Sequence, residues 1–272
     1  MHEVTRSRIS QYFQSLKLPE WLLVAASVAV LALLTASGWG RLLAAAALVG
    51  AGAYGYRFLA SSPIDAEIDS VVAMDIAALE KRALARCHLE ESEVRANPQV
   101  IVGPRYRRLG GAEFGFRRGE DGKARFTPLH VTIVNFTEHQ LVVYQCALDL
   151  TTGKPLNEES DEFFYNAIAN VALRCIAYTY DGTELDPAIL QGAPALAESA
   201  VNGKIQIAGA DFFRLTTTAG SSVEIMLNEP KLIEQLSGGE MNMAPNDAAV
   251  SAIYRLVREK QLGALPVRSP TI

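Results

Sequence analysis

The fold is decided by an apolar stretch near the amino terminus, in which residues 21–36 read WLLVAASVAVLALLTA and residues 42–59 read LLAAAALVGAGAYGYRFL. Only Ser-Gly-Trp-Gly-Arg separates the two runs. A helix that crosses a bilayer needs about 20 predominantly apolar residues, and each run reaches that length when its flanks are counted. Because the linker is short, the sequence predicts two antiparallel helices that form a transmembrane hairpin over residues 21–60.

Aromatic residues around the two runs favour this prediction over the alternative, a buried hairpin inside a large soluble domain. Trp21 and Trp39 bracket the first run, and Tyr54 and Tyr56 lie near the end of the second. Such positions are typical of the aromatic belts at membrane interfaces. The hairpin would therefore hold the rest of the chain on one side of a membrane.

Basic residues near the two runs predict the orientation. Arg6, Arg8 and Lys17 precede the first run and Arg57 closes the second, whereas the connecting loop carries only Arg41. Since positive charges near the spans stay on the cytoplasmic side, we expect both termini and the following domain to be cytoplasmic. The three widely spaced cysteines suit a reducing compartment better than a disulfide framework.

The period of the apolar residues divides the chain into segments, because helices repeat every 3.6 residues and strands every two. A helical period governs the region after the apolar stretch, and a strand period takes over near Pro98. The predicted segments are an amphipathic cytoplasmic leader (1–20), the transmembrane hairpin (21–60), a helical linker (61–97), a β domain (98–236) and a C-terminal helix and tail (237–272).

The β domain contains one clear hairpin, formed by residues 130–136 and 140–150 around a short polar turn. About seven short strands followed by a helix are typical of a partly open antiparallel barrel or sandwich with a helix at one end. Asn246 is a good N-cap for that helix. The predicted fold class is therefore α+β, with an antiparallel sheet structure and C-terminal helices behind the transmembrane hairpin.

Two patterns in the β domain resemble bacterial PH-like domains, the pleckstrin-homology-like family of membrane-associated proteins. One is Tyr165-x-x-Ile168-x-x-Val171, which follows the hairpin, and the other is Phe213-x-Leu215-Thr216-Thr217 answered by Val223-x-Ile225 with Gly220 at the tip. The resemblance covers roughly residues 98–236. It implies two orthogonal sheets capped by a helix, a role in binding lipid or protein, and no catalytic residues. Together with the predicted hairpin, we expect a multi-pass protein of the bacterial inner membrane.

A basic run in the first part of the β domain is the candidate binding site. Its side chains could lean on anionic headgroups or on an acidic partner, where each basic residue near a membrane contributes about 1 kcal/mol. An ordinary solvated hairpin face is the alternative. The candidate residues are Arg105, Tyr106, Arg107, Arg108, Arg117, Arg118, Lys123 and Arg125.

The sequence contains no motif of a phosphate-binding loop, a hydrolase nucleophile elbow or a zinc site. We therefore expect no catalytic residue, no cofactor and no metal, and the net charge of -5 does not indicate nucleic-acid binding. The expected function is that of a membrane-anchored cytoplasmic binding or scaffold protein, with the bilayer and a protein as partners and a homo-oligomer as a further option. The alternatives are a structural subunit of an inner-membrane complex and an enzyme whose acidic cleft the sequence does not reveal.

Overall fold

The computed structural model describes residues 2–13, 27–31, 35, 40, 44–50, 65–238, 240–242 and 244–263. They divide into two compact units, residues 1–68 and residues 69–272. The bounded helices are α1 (His2–Phe13), α2 (Asp65–Arg86), α3 (Pro187–Gly192), α4 (Pro194–Glu198), α5 (Pro230–Ser237) and α6 (Ala244–Gly263). The strands are β1 (Ala96–Pro104), β2 (Gly115–Arg118), β3 (Ala124–Thr127), β4 (Leu129–Phe136), β5 (Gln140–Asp149), β6 (Lys154–Phe164), β7 (Ile168–Asp181), β8 (Lys204–Thr217) and β9 (Ser222–Asn228).

The prediction of a transmembrane hairpin is wrong. Within the described residues, no helix is both long enough and apolar enough to cross a bilayer. The two longest described helices, α2 and α6, carry charged residues along their length. With the hairpin, the predicted multi-pass location in the inner membrane also loses its support. Most of the residues on which that prediction was based, including both tryptophans, lie outside the described ranges.

The first unit contains α1, whose apolar side is buried. Ile9, Tyr12 and Phe13 are all buried. The Tyr12 hydroxyl lies 2.6 Å from a carboxylate oxygen of Asp65, and Arg8 forms an ion pair of 2.9 Å with Glu67. These contacts hold α1 against the first turn of α2, so the predicted amphipathic leader is helical in its described part.

The second unit is built on two antiparallel meanders. The first sheet has the strand order β1-β4-β5-β6, and the second has the order β7-β8-β9. A separate hairpin, β2-β3, lies in the connection between β1 and β4. The predicted hairpin over residues 130–150 is confirmed as β4-β5. The fold class is thus α+β with antiparallel sheets.

The core lies between the two sheets and is closed by α6. Because side chains alternate across a strand, each sheet contributes every second residue to it. The first sheet supplies side chains such as Val134 and Val143, the second supplies Phe213 and Ile225, and α6 supplies Ile253. These five side chains are almost completely buried.

The opposite face of the first sheet is also buried. Val131, Ile133 and Tyr144 on that face are fully inaccessible. The part of α2 from residue 69 onward covers it, since Arg82 donates two hydrogen bonds of 2.6 Å to Glu158 on β6. The helix therefore serves as part of the domain and not as a separate spacer.

Asn246 does not cap α6, contrary to the prediction from sequence. The helix begins at Ala244, and the Asn246 side chain is buried inside it. Its amide instead hydrogen-bonds to the main chain of Val102 on β1, accepting at 3.0 Å and donating at 2.8 Å. Asparagine is favoured at helix starts, but Asn246 instead links α6 to β1.

Candidate binding site

The edge strand β7 is exposed along most of its length. It runs for 14 residues and pairs with β8 on one side, at the edge of its sheet. Leu173 and Ile176 are 54% and 41% exposed, although both are large apolar side chains. An uncovered edge strand presents main-chain N–H and C=O groups that can pair with another chain. This strand is therefore a template for an added strand.

The two edges of the first sheet are protected, in contrast to β7. At the β1 edge, both main-chain groups of Val102 are satisfied by the Asn246 side chain. At the β6 edge, the exposed residues Glu159, Asp161 and Glu162 place negative charges along the strand. Charged edges and covered edges are the usual means by which proteins prevent strand addition. These edges are thus protected, whereas no described strand pairs with the outer side of β7.

Helix α6 forms one wall beside β7. The Tyr254 ring packs against Phe213 with centroids 6.1 Å apart. Burial raises the pKa of Tyr254, and a hydrogen bond from the Leu173 main chain acts in the opposite direction. Tyr254 also lines an open depression of about 530 Å³ on α6. Tyr254 thus places the depression on α6 next to Leu173 of β7.

Two arginines and one glutamate line the depression on α6: Arg255, Arg258 and Glu259. All three side chains are exposed, and neither arginine forms an ion pair with another described residue. Arg174 and Ile176 lie on the opposite face of β7, because Leu173 is the residue that pairs with Phe213 on the side of α6. We define the β7 groove as Leu173, Tyr254, Arg255, Arg258 and Glu259.

Two of the predicted basic-run residues are buried. Tyr106 belongs to an aromatic cluster in which its ring lies 6.2–6.5 Å from the rings of Phe114, Phe126 and Tyr180. Its hydroxyl is enclosed without a hydrogen-bond partner in the described part of the chain, and burial raises its pKa. Tyr106 thus lies in the interior and does not belong to an exposed patch.

Arg125 is also buried, and its charge is neutralised within the fold. Its guanidinium donates two hydrogen bonds of 2.8 Å to Asp69 and two of 2.9 and 3.1 Å to Asp121. Arg125 in turn holds the pKa of Asp121 below its usual range. The Arg125 guanidinium, which binds both carboxylates, therefore links α2 to the β2-β3 hairpin.

The remaining predicted basic residues are distributed over several environments. Arg107 donates to the Tyr178 hydroxyl at 2.8 Å and lies 3.6 Å from Glu184. Arg105 is half-buried, and its Nη1 lies 3.4 Å from Nδ1 of His130. The rest are exposed or half-exposed, on β2, in its turn to β3, or after β1: Arg108, Arg117, Arg118 and Lys123. The structure does not bring the eight residues into one patch, and their binding role stays a prediction.

A buried carboxyl group was not identified from the sequence. Glu229 precedes α5 and is completely buried. The Tyr180 hydroxyl donates to its Oε1 at 3.0 Å, whereas Oε2 has no partner within the described residues. Burial raises the pKa of Glu229 to about 8, against the opposing effect of the Tyr180 hydrogen bond. No local pattern signals this role, because a Glu-Pro pair before a helix is ordinary.

Acidic and metal-ligating residues do not form a further site in the described ranges. Those ranges contain no group of three or more His, Cys, Asp or Glu side chains that could hold a metal ion. Glu158 is held by Arg82 and by the Tyr144 hydroxyl at 2.7 Å, and Arg82 lowers its pKa to about 2. The β7 groove is therefore the feature that most favours a function.

Comparison with known proteins identifies no relative. No family model, no curated protein and no solved structure matches the chain.

Proposed function

We propose that this chain is a protein-binding module that takes up an extended segment of a partner along β7. The proposal is based on the outer side of β7, with which no described strand pairs, and on the exposed Leu173 and Ile176 side chains of this strand. Addition of a strand to a sheet edge is a common mode of peptide recognition, in which main-chain hydrogen bonds supply affinity and alternate side chains supply specificity. The proposal retains the docking role expected from the sequence, without a membrane anchor.

The order of the elements supports a PH-like domain as the platform for this binding. A four-stranded meander, a three-stranded meander and a terminal helix follow one another in the chain. The core is shared between the two sheets and α6, as the resemblance of the Tyr165 and Phe213 patterns implies. The β2-β3 hairpin and the α3-α4 segment are additions to this plan.

The proposed partner segment is extended, acidic and partly apolar. Its apolar side chains would rest on Leu173 and Tyr254, and its carboxylates would face Arg255 and Arg258. Arginine is well suited to this role because its planar fork binds carboxylates with two hydrogen bonds. Charge complementarity of this kind mainly increases specificity and the rate of association.

Selection of a random displayed-peptide library on the full chain tests the proposal. The expected result is a set of peptides that alternate apolar and acidic residues. Binding of a selected peptide should be lost in the double variant Leu173→Glu, Ile176→Glu, because charges on an edge strand oppose strand addition and the added carboxylates repel an acidic segment. The matched control is Val201→Glu, which replaces an apolar side chain that is 69% exposed and lies outside β7.

The outcomes distinguish the proposed partner from a second copy of the chain. Peptides without acidic residues, or peptides that bind the double variant as well as the original chain, would contradict the proposal. A chain that sediments as a dimer, and as a monomer only after the double substitution, would assign the β7 edge to self-association instead. Loss of binding in Val201→Glu would show that the effect of the added carboxylates is not specific to β7.

A further inference from the structure

The inner face of the first sheet changes from apolar to polar toward one end. Val134 and Val143 form a directly opposed pair in the apolar half. The next pair toward the other end is Thr132 and Gln145, followed by His130 opposite Ala147. Directly opposed residues lie on the same face of a sheet, so these polar side chains point to the same side as the core.

Arg105 extends this polar half beyond the end of β1. Its Nη1 lies 3.4 Å from Nδ1 of His130. The other ring nitrogen of His130 lies 3.3 Å from the Gln145 amide and 3.5 Å from the Thr132 hydroxyl. The four side chains thus form one connected cluster, which we call the Arg105 cluster: Arg105, His130, Thr132 and Gln145.

Arg105 lacks a negatively charged partner. It is half-buried, forms no ion pair in the described part of the chain, and its Nε is enclosed without a hydrogen-bond acceptor there. Burial lowers its pKa, and the neighbouring Arg107 lowers it further, whereas the exposed Glu159 on β6 acts in the opposite direction. Burying a charge without a partner is costly, and buried charges in proteins are usually paired or bind a ligand.

We propose that the Arg105 cluster is a binding site for a small oxyanion, either a carboxylate or a phosphate group. Because Nη1 is directed to His130, the edge formed by Nε and Nη2 has no hydrogen-bond acceptor among the described residues. That edge binds two oxygens of a carboxylate or phosphate at once. Gln145 and Thr132 lie at the other nitrogen of the His130 ring and fix its orientation. The site does not depend on the proposed binding of a partner to β7.

The state of His130 in the unliganded protein agrees with this assignment. Burial, followed by the charge of Arg105, lowers the pKa of His130 to about 4. The ring is therefore neutral at pH 7, and one of its nitrogens accepts the hydrogen bond from Arg105. An oxyanion on the guanidinium would offset the charge that opposes protonation of the ring. The ring resonances of His130 are consequently a direct reporter of occupancy.

Titration of the full chain with inorganic phosphate at pH 7, followed by the His130 ring resonances in NMR spectra, tests the site. Sodium chloride at matched ionic strength is the reference. We expect a saturable shift with phosphate that chloride does not reproduce. Arg105→Gln should weaken phosphate binding about tenfold or more, because it removes charged hydrogen bonds. Arg108→Gln, which changes an exposed neighbour, should leave the binding unchanged.

Three results would overturn the proposal. They are the absence of a saturable shift in the original chain, an unchanged affinity in Arg105→Gln, and an equal loss in Arg108→Gln. Should Arg105→Gln fail to fold, Arg105→Lys keeps the charge but lacks the two-nitrogen edge. An affinity of Arg105→Lys equal to that of the original chain would then contradict the site.

Discussion

Asn246 on α6 hydrogen-bonds to both main-chain groups of Val102 on the edge strand β1, at 3.0 and 2.8 Å. The side-chain amide occupies the place that a neighbouring strand would take, with one acceptor and one donor. Helix α6 is thereby fixed across the end of the sandwich. The same contact satisfies the outward-facing main-chain groups of β1 at Val102.

Replacement of Asn246 by Ala should destabilise the protein by about 2–3 kcal/mol, because two enclosed main-chain groups lose their partners. Denaturant unfolding measures the change. Asn97→Ala is the matched control, since Asn97 is exposed on the same strand. Faster hydrogen exchange at the Val102 amide should accompany the loss. Equal stabilities of the two variants would show that the Asn246 contact does not secure the helix.

Stability should fall as the pH rises from about 5 to 8, because of Glu229. Its pKa is raised from the ordinary 4.5 to about 8 in the folded protein. In this window the folded state holds a proton that the unfolded state has released, so rising pH favours unfolding, by at most about 1.4 kcal/mol per pH unit. Glu229→Gln removes this titration. Thermal unfolding at several pH values should show a flatter profile for Glu229→Gln, and an unchanged slope would contradict the buried state of Glu229.

The two tyrosines near Glu229 should respond differently to loss of their hydroxyls. Tyr106→Phe removes an enclosed hydroxyl that has no described partner, so stability should stay equal or rise by about 1 kcal/mol. Tyr180→Phe removes the donor to Glu229 and should destabilise by about 1–3 kcal/mol. Each variant is the control of the other, measured by denaturant unfolding. A larger loss in Tyr106→Phe would reverse the assigned roles.

The Arg82–Glu158 contact should stabilise the protein at neutral pH and lose its effect in acid. Arg82 lowers the pKa of Glu158 from 4.5 to about 2. A lowered carboxyl pKa contributes stability above the unfolded value, which disappears as the pH falls through the folded value. The stability difference between the original chain and Arg82→Gln should therefore shrink between pH 5 and pH 2. A difference that stays constant over this range would exclude Glu158 as the partner.

Local alternation was sufficient to predict the β4-β5 hairpin, since β-branched and aromatic residues recur on both sides of a short turn. The same reasoning missed most of β6, whose sequence KPLNEESDEFF begins with proline and polar residues. Polar residues are tolerated in β6 because it pairs only with β5 and lies at the edge of its sheet. Edge strands with acidic residues carry little apolar signal, because much of their surface faces water.

Features that depend on distant residues were not predictable from sequence. The charge of Arg125 is neutralised in part by Asp69, which lies 56 positions earlier in the sequence and accepts hydrogen bonds from it. Asparagine is a residue type suited to a helix N-cap, but the Asn246 side chain instead accepts a hydrogen bond from Val102 on β1. The transmembrane prediction counted apolar residues, most of which lie outside the described ranges, and no described helix is long and apolar enough to cross a bilayer. Burial of Tyr106 and Glu229 likewise follows from packing between sheets and not from a local pattern.

The most direct test of β7 as the binding edge is hydrogen exchange of the full chain with and without a peptide selected on it. Main-chain amides on the open side of β7 should exchange more slowly when the peptide is bound, because an added strand supplies their acceptors. Amides of β1 should exchange at unchanged rates. Protection confined to other strands, or absent from β7, would contradict the account.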